Sequence, residues 1–509
     1  MRVLIFHGYL LQGTGSNVYN AELGAAFARA GHEVHLLSQD RAPLALDWVD
    51  AAGDWDTGAL DVEVRREPPR ATVYRPDIGG VLPLYVADRY EGVEARPFPE
   101  LSEVEVEAYV ERNVAAVRDV VARARPGVAL ANHLVMGPAI LARALAGTGI
   151  PYAVKVHGSA LEYVVKPYPR FLAYAREGIA GARGVLVGSR HTAESLWAAM
   201  DDPDLPARTR LGPPGVDVER FEPREPDAAR AGLAALRERL AATVDAEGGD
   251  DAFARTVGEA AAALAQVGEG ERLVVYVGKL IGSKGVELLL AAWPLVRARV
   301  PDARLLVVGF GAFRPGLEEL ASALSRGDLE AARATRSESG AELPWLAAFL
   351  DRLGEGGAEA YADAARGIDS SISWTGRLDH HELADVLPAA EAMAVTSTFP
   401  EAFGMVAAEG AACGTLPVVA AHSGLVEVAR TLAAATPEPA RPWLTFEVGP
   451  GAVEELAGAL IAWMQADREL RAQTRSGMVA ATRERYSWDG VARTVIAAAR
   501  GDLDALPEP

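Results

Sequence analysis

The chain's dominant constraint is a rhythm: short β-branched runs alternate with stretches of helical length, twice over 509 residues. In the first series the predicted strands are Val3–Phe6, Val34–Leu37, Thr72–Tyr74, Val128–Ala131, Tyr152–Val156 and Val185–Val187. Amphipathic helices fall between them, such as Val18–Ala30, stopped by Gly31, and Glu103–Ala124. Alternation of this kind predicts parallel strands, because each parallel connection needs a crossover that packs back on the sheet. Leu211–Pro226 (LGPPGVDVERFEPREP) has no helical period and is dense in Pro and Gly, so it marks a domain boundary. The second series is Leu273–Val277, Arg304–Val308, Ser373–Thr375, Ala392–Thr396, Pro417–Ala420 and Leu444–Phe446. The expected fold class is α/β: two Rossmann-like doubly wound domains, residues 1–215 and 216–485, with ligands at the carboxyl ends of the strands and in a central cleft.

Two stretches break the rhythm. Ala228–Gly270 and Phe313–Ser371 are rich in Ala, Glu and Arg and read as helical insertions in the second domain. Solvated decoration is the plain expectation for both; a lid or an oligomer contact is the functional one. A formal net charge of −20 argues against a nucleic-acid partner, since phosphate binding draws on excess Lys and Arg. No apolar run nears the roughly 20 residues that span a bilayer, so no integral membrane span is expected. The opening MRVLIFHGYLL reads as a first strand, because its apolar run is too short for a signal peptide. The expected compartment is the cytoplasm. The single cysteine, Cys413, allows no intrachain disulfide and reads as a small buried side chain.

The densest chemistry lies in Thr396–Val428, TSTFPEAFGMVAAEGAACGTLPVVAAHSGLVEV. A strand, a turn and a helix from near Phe403 to about Cys413 are expected there. The first-turn amides of Phe403, Gly404 and Met405 would lack helical partners and form an anion site suited to a diphosphate. Gly404 keeps a Cβ away from the phosphate. Glu409, set among Ala and Gly, is costly to bury alone, and two ribose hydroxyls are the expected partner. Glu401, just ahead, is placed to accept hydrogen bonds from a sugar. Lys279 and Lys284 follow a strand's carboxyl end and can neutralise a diphosphate leaving group. His157 and His133 end strands at one edge of the first domain, with His7 a weaker candidate. Gly13 and Gly15 form a tight loop before the first helix. His380 and His381 open a helix, with no third residue at metal-ligand spacing.

PEAFGMVAAEGAACGTLPVV resembles the E-x7-E signature of the retaining glycosyltransferases of family 4 (glycosyl transferases group 1), which have the GT-B fold. VVYVGKLIGSKGVELLLAAW, LGPPGVDVERFEP, GVLVGSRHTAESL and GTGSNVYNAELGAAFARAGHEVHLLS resemble further segments of that family. The likeness covers most of the chain outside the two helical insertions. It implies that Glu401 contacts the donor sugar, Glu409 the ribose, and Lys284 with the amides after Glu401 the diphosphate. Lys279 stands where the family usually has Arg, which keeps the charge and loses the bidentate fork. Arg377 and Leu378 (TGRLDHHELADVL) fall at the base-binding position, and Ser423 and Gly424 in a turn beside the donor. The same likeness implies that Gly15 would lie near the donor, that His157 would face the donor sugar and the acceptor, and that His133 would lie on the acceptor side. Residues 486–509 are the closing helix that returns to the first domain, with a loose tail after Asp502.

The implied reaction is a front-face displacement with retention. A hexosyl or N-acetylhexosaminyl group moves from a nucleotide-sugar donor, UDP-sugar first and GDP-sugar second, to an unidentified acceptor hydroxyl. His157, Lys284 and Glu401 are the implied catalytic residues. Protein cations neutralise the diphosphate, so neither metal nor cofactor is called for. The alternatives weighed are a sugar-nucleotide epimerase or phosphorylase-like enzyme of the same fold, and a non-catalytic sugar-nucleotide-binding protein. A nicotinamide enzyme is disfavoured, because GTGSNV lacks the third glycine of the dinucleotide fingerprint.

Overall fold

The computed structural model describes residues 1–11, 15–85, 94–243 and 257–509; Gly13 and the middle of the first helical insertion lie outside them. The described chain divides into two compact units. Unit 1 is Met1–Gly215 with Tyr486–Pro509, and unit 2 is Val216–Arg485.

Unit 1 contains strands β1 (Arg2–Phe6), β2 (Glu33–Leu37), β3 (Ala51–Asp54), β4 (Asp61–Val64), β5 (Ala71–Arg75), β6 (Val81–Leu84), β7 (Glu94–Pro97), β8 (Val128–Asn132), β9 (Tyr152–Val156), β10 (Gly184–Val187) and β11 (Thr209–Leu211). Nine form one sheet in the order β11-β10-β9-β8-β1-β2-β5-β3-β4, while β6 and β7 pair separately. All pairings are parallel except the β3–β4 hairpin. The central strands β8 and β9 are buried at every position, as a sheet covered on both faces requires. Helix Gly15–Arg29 and the closing helix Trp488–Arg500 cover one face, joining Val3, Ile5, Leu130 and Leu186 in one core. Helices Glu103–Ala124, Gly137–Leu145 and Leu172–Ala180 cover the other. The first of these starts where a Ser102–Glu105 capping box satisfies two orphan donors, as its acidic, Ser-led opening predicts. The tail after Asp502 is tied down, contrary to expectation. The Leu211 amide donates to the Pro507 carbonyl at 2.8 Å, and Leu503 and Leu506 pack on the core. An edge strand's open amides favour such a cover.

Unit 2 contains β12 (Arg272–Val277), β13 (Ala303–Val308), β14 (Ile372–Gly376), β15 (Ala390–Val395), β16 (Leu416–Ala420) and β17 (Thr445–Phe446), in the order β14-β13-β12-β15-β16-β17. Numbered from its first strand this is 3-2-1-4-5-6, the doubly wound order, whose topological switch point lies between β12 and β15. The two helical insertions are not solvated decoration. Pro226–Ala242 and Val257–Ala265 pack on one another and beside β14, burying Leu236, Leu240 and Leu264. Within Phe313–Ser371, the Tyr361 hydroxyl donates to the Ala291 carbonyl at 2.7 Å and Phe349 meets the Tyr361 ring. Their apolar stripes are what a flanking β-sheet needs covered, so they complete the helical layer.

Candidate functional site

In unit 2 the switch point gathers three loops. The one after β12 carries Lys279 and Lys284, the one after β15 carries Ser397 and Glu401, and the one after β16 carries His422, Ser423 and Gly424. Lys284 Nζ donates to Glu401 Oε1, and the Ser397 hydroxyl donates to the same oxygen. The Glu401 backbone is held as firmly. Its amide donates to Ser423 Oγ at 2.8 Å, and its carbonyl accepts from the Gly424 amide at 2.9 Å. Gly424 is a steric requirement, since a Cβ there would sit 2.5 Å from the Ala402 carbonyl and the Phe403 Cα. Ser423 occupies the left-handed region at φ 50°, which turns its hydroxyl back to Glu401. Lys284 and Glu401 are both only partly exposed, so their charges face each other with reduced screening. Lys279 is exposed; its carbonyl accepts from the buried Tyr276 hydroxyl at 3.0 Å.

The helix after Glu401 runs Met405–Ala412, two residues later than expected. Gly404 adopts φ 114°, a conformation no helix interior tolerates, and therefore caps the helix. The orphan amides of the first turn are those of Met405 and Val406, while Ala407 donates to the Gly404 carbonyl at 3.1 Å. Phe403 is a buried side chain ahead of the cap. The structural reason for glycine at 404 also differs: a Cβ would meet Leu425 Cδ2 at 2.5 Å.

Glu409 is 2% exposed and, contrary to the expectation of a lone carboxylate, has a partner within the protein. His380 Nε2 lies 2.8 Å from its Oε1, with the Phe221 ring 5.0 Å from the imidazole. A buried carboxylate needs a hydrogen-bonding partner, and the first residue of the helix His380–Val386 after β14 supplies one. Arg377 faces Asp379 at 3.6 Å, and Leu378 is buried.

In unit 1 the switch point lies between β1 and β8, and the residues after β1, β8 and β9 are His7, His133 and His157. Their rings form a contiguous cluster, His7 stacked on His133 with centroids 5.6 Å apart and His157 tilted against His133 at 5.0 Å. Tyr85 lies 4.6 Å and Tyr9 5.2 Å from His133, and Tyr19 lies 5.0 Å from His157. His7 is anchored by Asn17 and Asn20, and His157 by Asn132 at 2.9 Å. Burial holds all three imidazoles neutral: it lowers His7 to about 4 and His133 and His157 well below their ordinary value. His133 stands apart. It sits at φ 67°, is 3% exposed, and neither ring nitrogen has a hydrogen-bond partner among the described residues. A buried polar ring without partners carries a desolvation cost that a hydrogen-bonding ligand would relieve. Gly15 begins its helix, and a Cβ there would meet nothing within 4 Å.

Sequence reasoning missed three contributors: Ser397, His422 and the role of His380. The pairing of β15 with β16 is the signal that could have found the first two, because adjacent parallel strands deliver their following loops side by side.

The chain matches the family model described as Glycosyl transferase 4-like domain over residues 14–215. Models described as Glycosyl transferases group 1 match residues 271–336 and 356–477. A D-inositol 3-phosphate glycosyltransferase of Segniliparus rotundus is 32% identical over 298 residues, 58% of this chain and 48% of the relative. A GDP-mannose-dependent alpha-(1-6)-phosphatidylinositol monomannoside mannosyltransferase of Mycolicibacterium smegmatis is 31% identical over 42% of this chain and 38% of its own. The chain thus spans less than half the length of these curated relatives. Sucrose-phosphate synthase from Thermosynechococcus elongatus shares the fold, with a TM-score of 0.57 at 20% identity over 99% of both chains. By these matches and by its two doubly wound units, the chain belongs to the glycosyl transferases group 1, of the family-4 type with the GT-B fold.

Proposed function

We propose that the protein is a retaining glycosyltransferase moving a hexosyl or N-acetylhexosaminyl group from a nucleoside-diphosphate sugar, UDP-sugar first and GDP-sugar second, to an acceptor hydroxyl. The observation that carries the reading is the Lys284–Glu401 pair at the unit 2 switch point, one turn ahead of a helix N-terminus. Unit 2 is the donor unit. Lys284, Lys279 and the Met405 and Val406 amides meet the diphosphate, where the helix dipole and two cations oppose its charge. Arg377 and Leu378 flank the base. Glu409 accepts from the ribose hydroxyls while His380 keeps its carboxylate oriented. Glu401 binds the sugar.

Unit 1 is the acceptor unit, with His157 and His133 offering neutral imidazoles to hydroxyls. As the glycosidic bond breaks, negative charge grows on the leaving diphosphate, and Lys284 stabilises it more than in the ground state. The leaving phosphate takes the acceptor proton, and attack on the same face retains the anomeric configuration.

The test is a panel of UDP-glucose, UDP-N-acetylglucosamine and GDP-mannose with polyol acceptors, inositol phosphates among them because of the relatives' names. Nucleoside diphosphate released only with acceptor present, and a product of retained configuration, is the expected result. An altered sugar still bound to nucleotide means an epimerase, and no turnover means a binding protein; either outcome overturns the proposal.

A further inference from the structure

Glu401 is gripped at its carboxylate, its amide and its carbonyl, and one imidazole links two of these grips. His422 follows β16. Its Nε2 lies 2.7 Å from the Ser397 carbonyl oxygen and its Nδ1 3.0 Å from Ser423 Oγ. A carbonyl only accepts, so Nε2 carries the proton. In the neutral ring Nδ1 is then an acceptor, and the Ser423 hydroxyl must donate to it. That hydroxyl is free to do so, because its oxygen already accepts from the Glu401 amide at 2.8 Å. The Ser397 hydroxyl in turn donates to the Glu401 carboxylate. The result is a loop of contacts that closes through the covalent frames of Ser397 and Glu401: Glu401 amide to Ser423 hydroxyl, Ser423 hydroxyl to His422, His422 to the Ser397 carbonyl, and the Ser397 hydroxyl to the Glu401 carboxylate.

We infer that His422 is a positioning residue for Glu401, fixing through Ser423 and Ser397 both the backbone and the carboxylate that meet the donor sugar. The inference rests on the reading of Glu401 as the sugar-binding group. It has a consequence that general support of the loop does not share. Glu401 meets the sugar and not the nucleotide, so loosening it weakens the intact donor while sparing the free nucleoside diphosphate.

The experiment measures both affinities by calorimetry on the full chain. It uses whichever of UDP-glucose, UDP-N-acetylglucosamine and GDP-mannose is turned over, with its own nucleoside diphosphate. His422→Leu removes both bonds and lowers affinity for the nucleotide sugar roughly tenfold or more, the scale of one or two lost hydrogen bonds, with the diphosphate alone within about twofold. His422→Asn keeps an acceptor for Ser423 and His422→Gln a donor for Ser397, so each recovers part of the loss. Ser423→Ala breaks the same loop of contacts without touching the imidazole and shows the same sugar-selective loss, which keeps the test alive if His422→Leu does not fold. Equal weakening of sugar nucleotide and diphosphate, or no weakening of either, overturns the inference. Glu401→Gln separates the two levels. If it leaves the preference for the intact donor unchanged, the reading of Glu401 itself fails. If it abolishes that preference while the His422 and Ser423 variants keep it, only the role of His422 fails.

Discussion

The two units solve one topological problem with opposite chemistry. Both are doubly wound sheets, and both bring their candidate residues to the loops at a switch point, where strand connections diverge and leave a crevice. In unit 2 that crevice is charged and cross-braced: lysine against glutamate, two serines on the glutamate, and helix amides beside them. In unit 1 it is neutral and aromatic, with the buried His7 and His133 and the partly buried His157 clustered among Tyr9, Tyr19 and Tyr85. Charge in the first suits a ligand whose own charge grows during reaction. Desolvated neutral rings in the second suit hydroxyls, which both donate and accept and carry no charge to stabilise. The fold supplies the location, and the residues after the strands decide what it binds.

The sharpest way to break this division is Lys284→Ala. It removes the cation opposite the leaving group and leaves Glu401 without its ion-pair partner. The expected loss in kcat/KM for the donor is about a thousandfold, about 4 kcal/mol of transition-state stabilisation, with the acceptor KM little changed. Steady-state kinetics checks it, and a loss below tenfold would end the assignment of charge neutralisation to unit 2.

Acid attacks the other side of the comparison. The three clustered histidines of unit 1 titrate below their ordinary 6.5 when folded, His7 at about 4, and His32 and His35 are lowered in the same direction. The unfolded chain therefore binds more protons, and stability is lost as pH falls from 6.5. Each of the clustered histidines costs about 1 kcal/mol over that pH unit, so the three together cost about 3 kcal/mol between pH 6.5 and 5.5. Lys155 beside them, lowered to about 7 by burial, is already protonated in that window and adds little slope. Urea midpoints at pH 7.5, 6.5 and 5.5 read the effect; a flat response would mean the cluster is hydrated or already charged.

A smaller effect sharpens the role of unit 1. His133→Asn keeps a residue that tolerates the left-handed backbone and removes the unpartnered ring. Acceptor kcat/KM falls roughly thirtyfold, about 2 kcal/mol, the scale of hydrogen bonds lost to a bound hydroxyl. Donor affinity stays near wild type, because the change lies in unit 1, while thermal stability falls modestly as the packing of the ring on Tyr9, Tyr85 and His157 is lost. Equal weakening of donor and acceptor would refute an acceptor-specific role.

How far the sequence discloses this arrangement depends on range. The twelve expected strands are all present, because parallel strands buried on both faces read as apolar runs. The pairs β3–β4 and β6–β7 are only four residues per strand, too short to read as apolar runs of their own, and are not legible in the sequence. Lys284 and Glu401 stand out by their positions after predicted strands. The His380–Glu409 contact spans 29 residues and the His422–Ser397 contact 25, and neither shows until strand order is known. The start at Met405 was hidden for a local reason: the backbone angle of Gly404, not the apolar pattern, sets it.

The smallest effect comes from Glu287, which turns the pH comparison into a test of sign. It lies in the first turn of Val286–Arg299 in unit 2, 3% exposed, with Oε2 unpartnered among the described residues. Burial, with Glu338 adding repulsion, pushes its carboxyl from 4.5 to about 7. The folded state here binds the extra proton, so stability rises as pH falls from about 7 towards 4.5, opposite to the histidines. Above pH 7 the buried charge is a standing cost of at most about 3 kcal/mol. Glu287→Gln removes that charge and keeps the shape. It is expected to gain about 1 kcal/mol at pH 8, once the cost of an incompletely bonded amide is deducted, and to lose about 1 kcal/mol at pH 5, where the native carboxyl is already neutral and the same cost still applies. In the wild type this rise offsets part of the histidine loss. The variant therefore loses stability more steeply between pH 6.5 and 5.5, by about 1 kcal/mol per pH unit. Urea unfolding of the pair across that window measures the difference. An unchanged slope would show that Glu287 reaches solvent or a partner, and that unit 2 does not answer acid with the sign opposite to unit 1.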